Sequence, residues 1–181
     1  MADIFEVIKN RRSVREYKQE QIDDEDIEKI LHAAILAPTA RGEAPWHFTV
    51  IQNKELLDDI NESVNNILRN SGDELLEAIA KSGKHIMHNA PTVVIVSAKS
   101  SATNMQADVS AAIENMLLAA EGLDIGSCWL GLIAAYFSIE ENLKNLHIPE
   151  GYTPLYGVSL GYKVNENEPN PRDDVLINWL K

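Results

Sequence analysis

The chain has 181 residues, 45% of them hydrophobic and 24% charged, an ordinary globular composition that suits one domain spanning 1–181. With 28 acidic against 16 basic residues and a net charge of −12, its surface repels nucleic-acid phosphates and anionic lipid, and no apolar run nears the ~20 residues that span a bilayer. A single cysteine, Cys128, excludes an intramolecular disulfide framework, and with no basic-then-apolar leader after Met1 the expectation is a cytoplasmic protein.

Asp3 is placed to cap a first helix from Ile4 to about Asn10, with Ile4, Phe5 and Ile8 on one face. A second helix is predicted from about Asp24 to Leu36. Acids crowd its first turn, Ile27, Ile30, Leu31, Ala34 and Ile35 follow helical spacing, and Pro38 stops it. Trp46 to Ile51 reads as a strand, and residues 54 to about 80 as two helices broken near Ser71-Gly72. Thr92 to Val96 is β-branched and apolar on both faces, the mark of a central buried strand.

Met105 to Gly122 is the longest predicted helix, and apolar or small residues occupy almost every face of it. Such a helix must be covered all round, which in a domain of this size calls for a partner subunit. Gly122 and Gly126 are expected to punctuate a turn into the segment from Ser127 to Ile133. Ser138 and Glu141 have the spacing of a capping box for a short helix to about Leu146. Pro154 to Gly161 is the last clear strand. The polar stretch after Tyr162 ends in Val175, Leu176, Ile177, Trp179 and Leu180, the pattern of an arm that docks elsewhere. Helices alternating with strands give a mixed α/β or α+β domain, with strand order left open.

The strongest local signal is electrostatic. Lys9, Arg11, Arg12, Arg15 and Lys18 are five of the sixteen basic residues, and three of the six arginines lie within Arg11 to Arg15. Two readings stand: a solvated surface paired with acids such as Glu16 and Glu20, or a site for a small anion held by guanidinium forks and the Ser13 hydroxyl. The run from Ala37 to Trp46 is a connecting loop on pattern, although its small residues would let backbone approach a flat ligand. No Gly-x-Gly-x-x-Gly or Walker-type loop is present. His85 and His88 stand three apart with no adjacent carboxylate or cysteine to complete a metal set. Cys128, in an apolar setting, reads as a small buried residue rather than a nucleophile. Glu114, inside an apolar helix, calls for a partner: an arginine or a group across a subunit interface.

Taken in order, these segments resemble the nitroreductase family of FMN-dependent oxidoreductases. Arg11-Arg12-Ser13-Val14-Arg15 is similar to the family's N-terminal Arg-Arg-Ser-x-Arg motif. Ala37-Pro38-Thr39 through Pro45-Trp46-His47-Phe48 is similar to its Ala-Pro-Ser-x-x-Asn-x-Gln-Pro-Trp segment. Ala111 to Ala120, leading to Gly126-Ser127-Cys128-Trp129-Leu130-Gly131, resembles the central helix and the following loop. Gly161-Tyr162 with Pro169-Asn170-Pro171-Arg172 resembles the closing motif. Gly42 and Ala44 stand where the family often has asparagine and glutamine, leaving Arg41 or Glu43 as substitutes, and Asn170 where some relatives place a second basic residue.

The resemblance implies an α+β fold: a three-layer α-β-α sandwich with a mostly antiparallel central sheet and a C-terminal arm reaching the partner subunit. It implies a homodimer with FMN at the subunit interface. Arg11, Arg12, Ser13 and Arg172 would hold the phosphate and ribityl chain, and Arg15 would lie near the pyrimidine end. Pro38, Thr39, Ala40 and Gly42 would line the ring from the other subunit, and Cys128, Trp129, Leu130 and Gly131 would pack against it. The implied activity is ping-pong: NADH or NADPH delivers hydride to flavin N5, which is why no catalytic side chain is required, and a nitroaromatic, quinone or related small-molecule acceptor is then reduced. A flavin-binding or storage protein with little turnover is the alternative on the same fold.

Overall fold

The computed structural model describes residues 3–165, 172 and 175–181. Helix α1 (Ile4–Asn10) is capped by the Asp3 carboxylate, which accepts from the Phe5 N–H at 2.7 Å. Helix α2 (Asp24–Ile35) carries three acids in its first turn. Strand β1 (Trp46–Ile51) is followed by α3 (Lys54–Arg69) and α4 (Glu74–Lys81), separated at the predicted break and capped by Asn53 and Asp73. Then come β2 (Thr92–Lys99), α5 (Met105–Gly122), β3 (Ile125–Leu130), α6 (Glu140–Lys144) and β4 (Tyr152–Tyr162). Short 3-10 turns cover Ala40–Gly42 and Leu132–Ser138.

The four strands form one sheet in the order β1-β2-β4-β3, every neighbouring pair antiparallel. The β2 strand, apolar on both faces, is interior as its sequence requires. Val94, Val96 and Ala98 pack with Ile27, Ile30 and Ala34 of α2 and Val109, Ala112, Ile113 and Met116 of α5. Val93 and Ile95 turn the other way, toward Leu57, Ile60 and Val64 of α3, Ala80 of α4, and Ile133 and Tyr136. Period-two alternation thus feeds two cores, and the result is an α-β-α sandwich.

The arginine segment is stitched to the free edge of this sheet. Ser13 and Ser127 form a parallel bridge, the Val14 N–H donates to the Ser127 carbonyl at 2.9 Å, and the Lys18 N–H donates to that of Tyr162 at 2.9 Å. Tyr17 is buried beneath it, its hydroxyl bonded to the Val14 carbonyl at 2.7 Å and to Ser159 Oγ at 2.9 Å. The approach is close enough to exclude side chains. A Cβ on Gly126 would lie 2.9 Å from Val14 Cγ1, and one on Gly161, its β4 partner, 2.9 Å from Pro91 Cδ. Gly126→Val is therefore expected to lower unfolding free energy by about 1–3 kcal/mol and to loosen residues 13–17, read as faster amide exchange at Val14 and Lys18.

Two expectations change. Gly126 lies inside β3 rather than in a turn; the turn is made at Leu123 and Asp124, the latter at φ 58°. The Ser138–Glu141 capping box does not form: Ser138 Oγ donates to the Ala135 carbonyl at 2.7 Å, and α6 begins after Ile139. Helix α5 is not covered all round by its own chain. Ala107 and Glu114 are exposed on it, with Ala111 and Leu118 half-buried on the same stripe. Pro169, Asn170 and Pro171 lie outside the described residues, as do the chain neighbours of the exposed Arg172.

Candidate functional site

A cavity of about 500 Å³ opens where the arginine segment, the end of β3 and the turn after α4 meet. Arg15 and Cys128, Trp129, Leu130 and Gly131 line one side; Ala78, Ile79, Ser82, Lys84, His85, Ile86, His88 and Leu132 line the rest. Its walls are mainly aliphatic and its formally charged groups are Arg15 and Lys84, with no carboxylate among the described lining residues. In a chain of net charge −12, a concavity of this sign favours an anionic or electron-rich ligand.

The arginines are not neutralised by Glu16 or Glu20. Arg11 Nε lies 3.6 Å from Glu114 Oε1, so the acid in α5 has found its arginine within the same chain. Glu16 accepts instead from Asn165 Nδ2 at 3.1 Å. Arg12 is half-buried; Nη1 donates to the Arg11 carbonyl at 2.5 Å while Nε is buried with no partner among the described residues. A buried donor left open in a cationic cluster is what a site for an anion requires. Arg15 Nη1 turns back to the Ser13 carbonyl at 3.3 Å, and Arg15 borders both the large cavity and a smaller hollow of about 230 Å³ shared with Ser13.

Cys128 is 3% exposed, and burial pushes its thiol up despite Arg15 and Arg11 nearby. A buried, protonated thiol is a packing residue rather than a nucleophile. The β3 backbone beside it, with Trp129 edge-on to Tyr156 at 5.2 Å, supplies a firm wall.

Pro38, Thr39, Ala40 and Gly42 do not line this cavity. They form a separate loop clamped to the start of α5. The Ala40 N–H donates to Asp108 Oδ1 at 2.9 Å, the Ala44 N–H to Thr39 Oγ1 at 3.2 Å, and the Glu43 carboxylate accepts from the Thr103 N–H at 2.8 Å and hydroxyl at 2.6 Å. Glu43 is thereby engaged by Thr103. The Thr103 bonds hold the Glu43 carboxyl below its usual value. A depressed carboxyl stabilises the clamp above the ordinary range and releases it as pH falls through the folded value. The Thr103 amide resonance is thus expected to titrate with a midpoint below the ordinary 4.5, and Glu43→Gln is expected to abolish that titration.

The family model for the nitroreductase family matches residues 8–162. The chain belongs to the nitroreductase family. It is 38% identical over 183 aligned residues to an Archaeoglobus fulgidus protein carried under the provisional name NADH dehydrogenase/NAD(P)H nitroreductase, covering 96% of this chain and 93% of that one. Among solved structures, an FMN-bound nitroreductase of Bacteroides fragilis is 34% identical at a TM-score of 0.87, and one of Desulfitobacterium hafniense with bound FMN is 27% identical at 0.90. Each pairing covers 100% of both chains.

Against this family's sandwich, the sequence motifs fall into two places on one chain: Arg11 to Arg15 with Cys128 to Gly131 at the sheet edge, and Pro38 to Gly42 at the start of α5. Lys84, His85 and His88 complete the cavity and were not among the expected site residues. The signal available was three cationic or titratable residues within five positions just before the central strand. Without the fold, the two histidines could be weighed only as metal ligands.

Proposed function

We propose that this chain, as one domain over 1–181, binds FMN and acts as an NAD(P)H-dependent oxidoreductase, with the cofactor seated at a homodimer interface. The observation that carries the reading is the cationic cavity walled by Arg15 and the Cys128–Gly131 backbone, free of carboxylates among the described residues, beside an arginine pair in which Arg12 Nε is buried with no partner among those residues. These residues fit the group. Arg11, Arg12 and Ser13 would supply donors for a phosphate and ribityl chain, and Arg172 would join them from the tail. Arg15 places positive charge where the pyrimidine ring carries its negative charge on reduction. FMN would supply the redox chemistry, accepting hydride from NADH or NADPH and passing electrons to a nitroaromatic, quinone or related acceptor in ping-pong order.

Support for the dimer comes from what one chain leaves uncovered. Helices α1 and α2 pack on α5 and expose Phe5 at 76% and Leu36 at 69%, together with Ile4, Ile8 and Ile35. Apolar area of that kind marks an interface. Among the described residues, strand β1 pairs only with β2, and Val175, Leu176, Ile177, Trp179 and Leu180 are exposed on the tail. A partner's tail docking on this chain would bury both. On this arrangement the Pro38–Gly42 loop of one subunit completes the ring site of the other. A reducing cytoplasmic setting belongs to the same reading, supported by the lone buried thiol. Among the described residues, no helix is long and apolar enough to cross a membrane.

The storage alternative draws on the loop, whose residues 42 and 44 offer no side-chain amide while Glu43 is engaged by Thr103. One experiment separates the two. After FMN addition and desalting, flavin absorption near ~370 and ~450 nm should be retained and should bleach anaerobically with NADH or NADPH. Retention without bleaching by either nicotinamide would favour storage, and no retention would remove the flavin reading.

A further inference from the structure

His88 has no assigned part in the site, yet it forms part of the cavity wall with Arg15, Lys84 and the Cys128–Gly131 backbone. It is held there by an unusual backbone. His88 and Asn89 are successive non-glycine residues in the left-handed region, at φ 58° and 53°. The turn is closed by the His88 N–H donating to the His85 carbonyl at 2.9 Å and the Ala90 N–H to that of Met87 at 3.1 Å. It is anchored by the fully buried Met87 and by Gln19 Nε2, which donates to the Asn89 carbonyl at 3.1 Å. Left-handed residues without glycine cost energy and persist where the surroundings impose them.

The charged and titratable groups around His88 come from each element packed on the cavity. Arg15 comes from the segment after α1, Lys84 and His85 from the turn after α4, and Cys128 from β3. Asp58 of α3 lies 3.8 Å from His85 Nε2 and is engaged by Lys54. Burial, then Arg15, His85 and Lys84, hold the His88 imidazole below its usual value. A neutral imidazole kept so by neighbouring cations changes state when a negative charge enters the cavity.

We propose that His88 takes one proton from solvent each time the bound flavin is reduced and releases it on reoxidation, adding one switchable cation to the fixed charges of Arg15 and Lys84. This deepens the FMN reading and rests on it. Reduction by NAD(P)H breaks the nicotinamide C4–H bond and transfers the hydride, two electrons and one proton, to the flavin, which becomes one unit more negative. The imidazole balances that unit with one further proton. Two protons are thus consumed per electron pair instead of one.

The test is the flavin midpoint potential, measured spectroelectrochemically in the FMN-loaded protein from about pH 5 to 8. Each proton coupled to a two-electron couple contributes about 30 mV per pH unit. The wild-type protein is expected to follow about 60 mV per pH unit between the two His88 titrations. His88→Asn, which tolerates the left-handed backbone, is expected to follow about 30 mV per pH unit throughout. A wild-type slope of about 30 across the range, or a slope of about 60 retained in His88→Asn, overturns the proposal. In the wild-type protein, the His88 ring resonances should report a neutral imidazole at neutral pH with oxidised FMN and a protonated one with reduced FMN. An unchanged ring overturns it independently of any variant. Failure to retain FMN is a different result: it removes the flavin reading, and this proposal with it.

Discussion

Arg11→Ala is expected to weaken FMN binding by about one to two orders of magnitude, because a charge-assisted contact to a phosphate is worth roughly 1.5–3 kcal/mol and each 1.4 kcal/mol is a factor of ten. The fold should survive. Arg11 follows α1, where its backbone N–H caps the helix by donating to the Val7 carbonyl whatever its side chain. Its ion pair with Glu114 is long and half open to solvent on the acid's side, and such pairs contribute about 1 kcal/mol or less. Arg11→Lys should fall between, since an ammonium keeps the charge but loses the planar fork. FMN titration followed by fluorescence, with a thermal melt of the same samples, checks both halves. Undiminished affinity with an unchanged melt would show that Arg11 does not meet the phosphate.

If the proposed dimer forms through α5, Leu118→Glu is expected to leave the protein monomeric and, with that, to abolish flavin retention. Leu118 lies on the α5 stripe with Ala107, Ala111 and Glu114, half-buried by its own chain. A carboxylate there can reach water in the monomer, so the isolated subunit should fold. In an interface the same carboxylate would be buried unpaired at a cost of several kcal/mol, on the order of a hundredfold or more in the dimer dissociation constant. Sedimentation analysis would read the change, and a dimer persisting at wild-type strength would move the interface off α5. Loss of FMN together with the dimer distinguishes a site completed by two chains from one held by Arg15 and β3 alone.

Much of this molecule was legible as pattern. The strand at Trp46–Ile51, the β-branched run around Thr92–Val96 and the long apolar run Met105–Gly122 are set by local composition and length that a reader of the chain can count, and they fold where those signals place them. The capping box at Ser138 shows the limit of such signals. The spacing is present, but the preceding 3-10 turn offers Ser138 Oγ the Ala135 carbonyl at 2.7 Å, and the hydroxyl takes that partner. Gly126 misleads in another way. It reads as a turn glycine, yet its small size serves contact between Val14 and the β3–β4 pair, a requirement set foremost by Val14, more than a hundred positions away.

By itself, the sequence determined the elements, the anion-seeking arginine segment, the small-residue loop and the family resemblance that orders them. These depend on local spacing, charge density and the order of short motifs, all of which are properties of a linear string. Tertiary structure decided which groups meet. It gave Glu114 to Arg11, engaged Glu43 with Thr103, and set His88 in the cavity wall beside Arg15. Each pairing joins residues sixty or more positions apart, so each depends on how the sheet edge, α5 and the turn before β2 pack against one another. No local spacing rule carries that information.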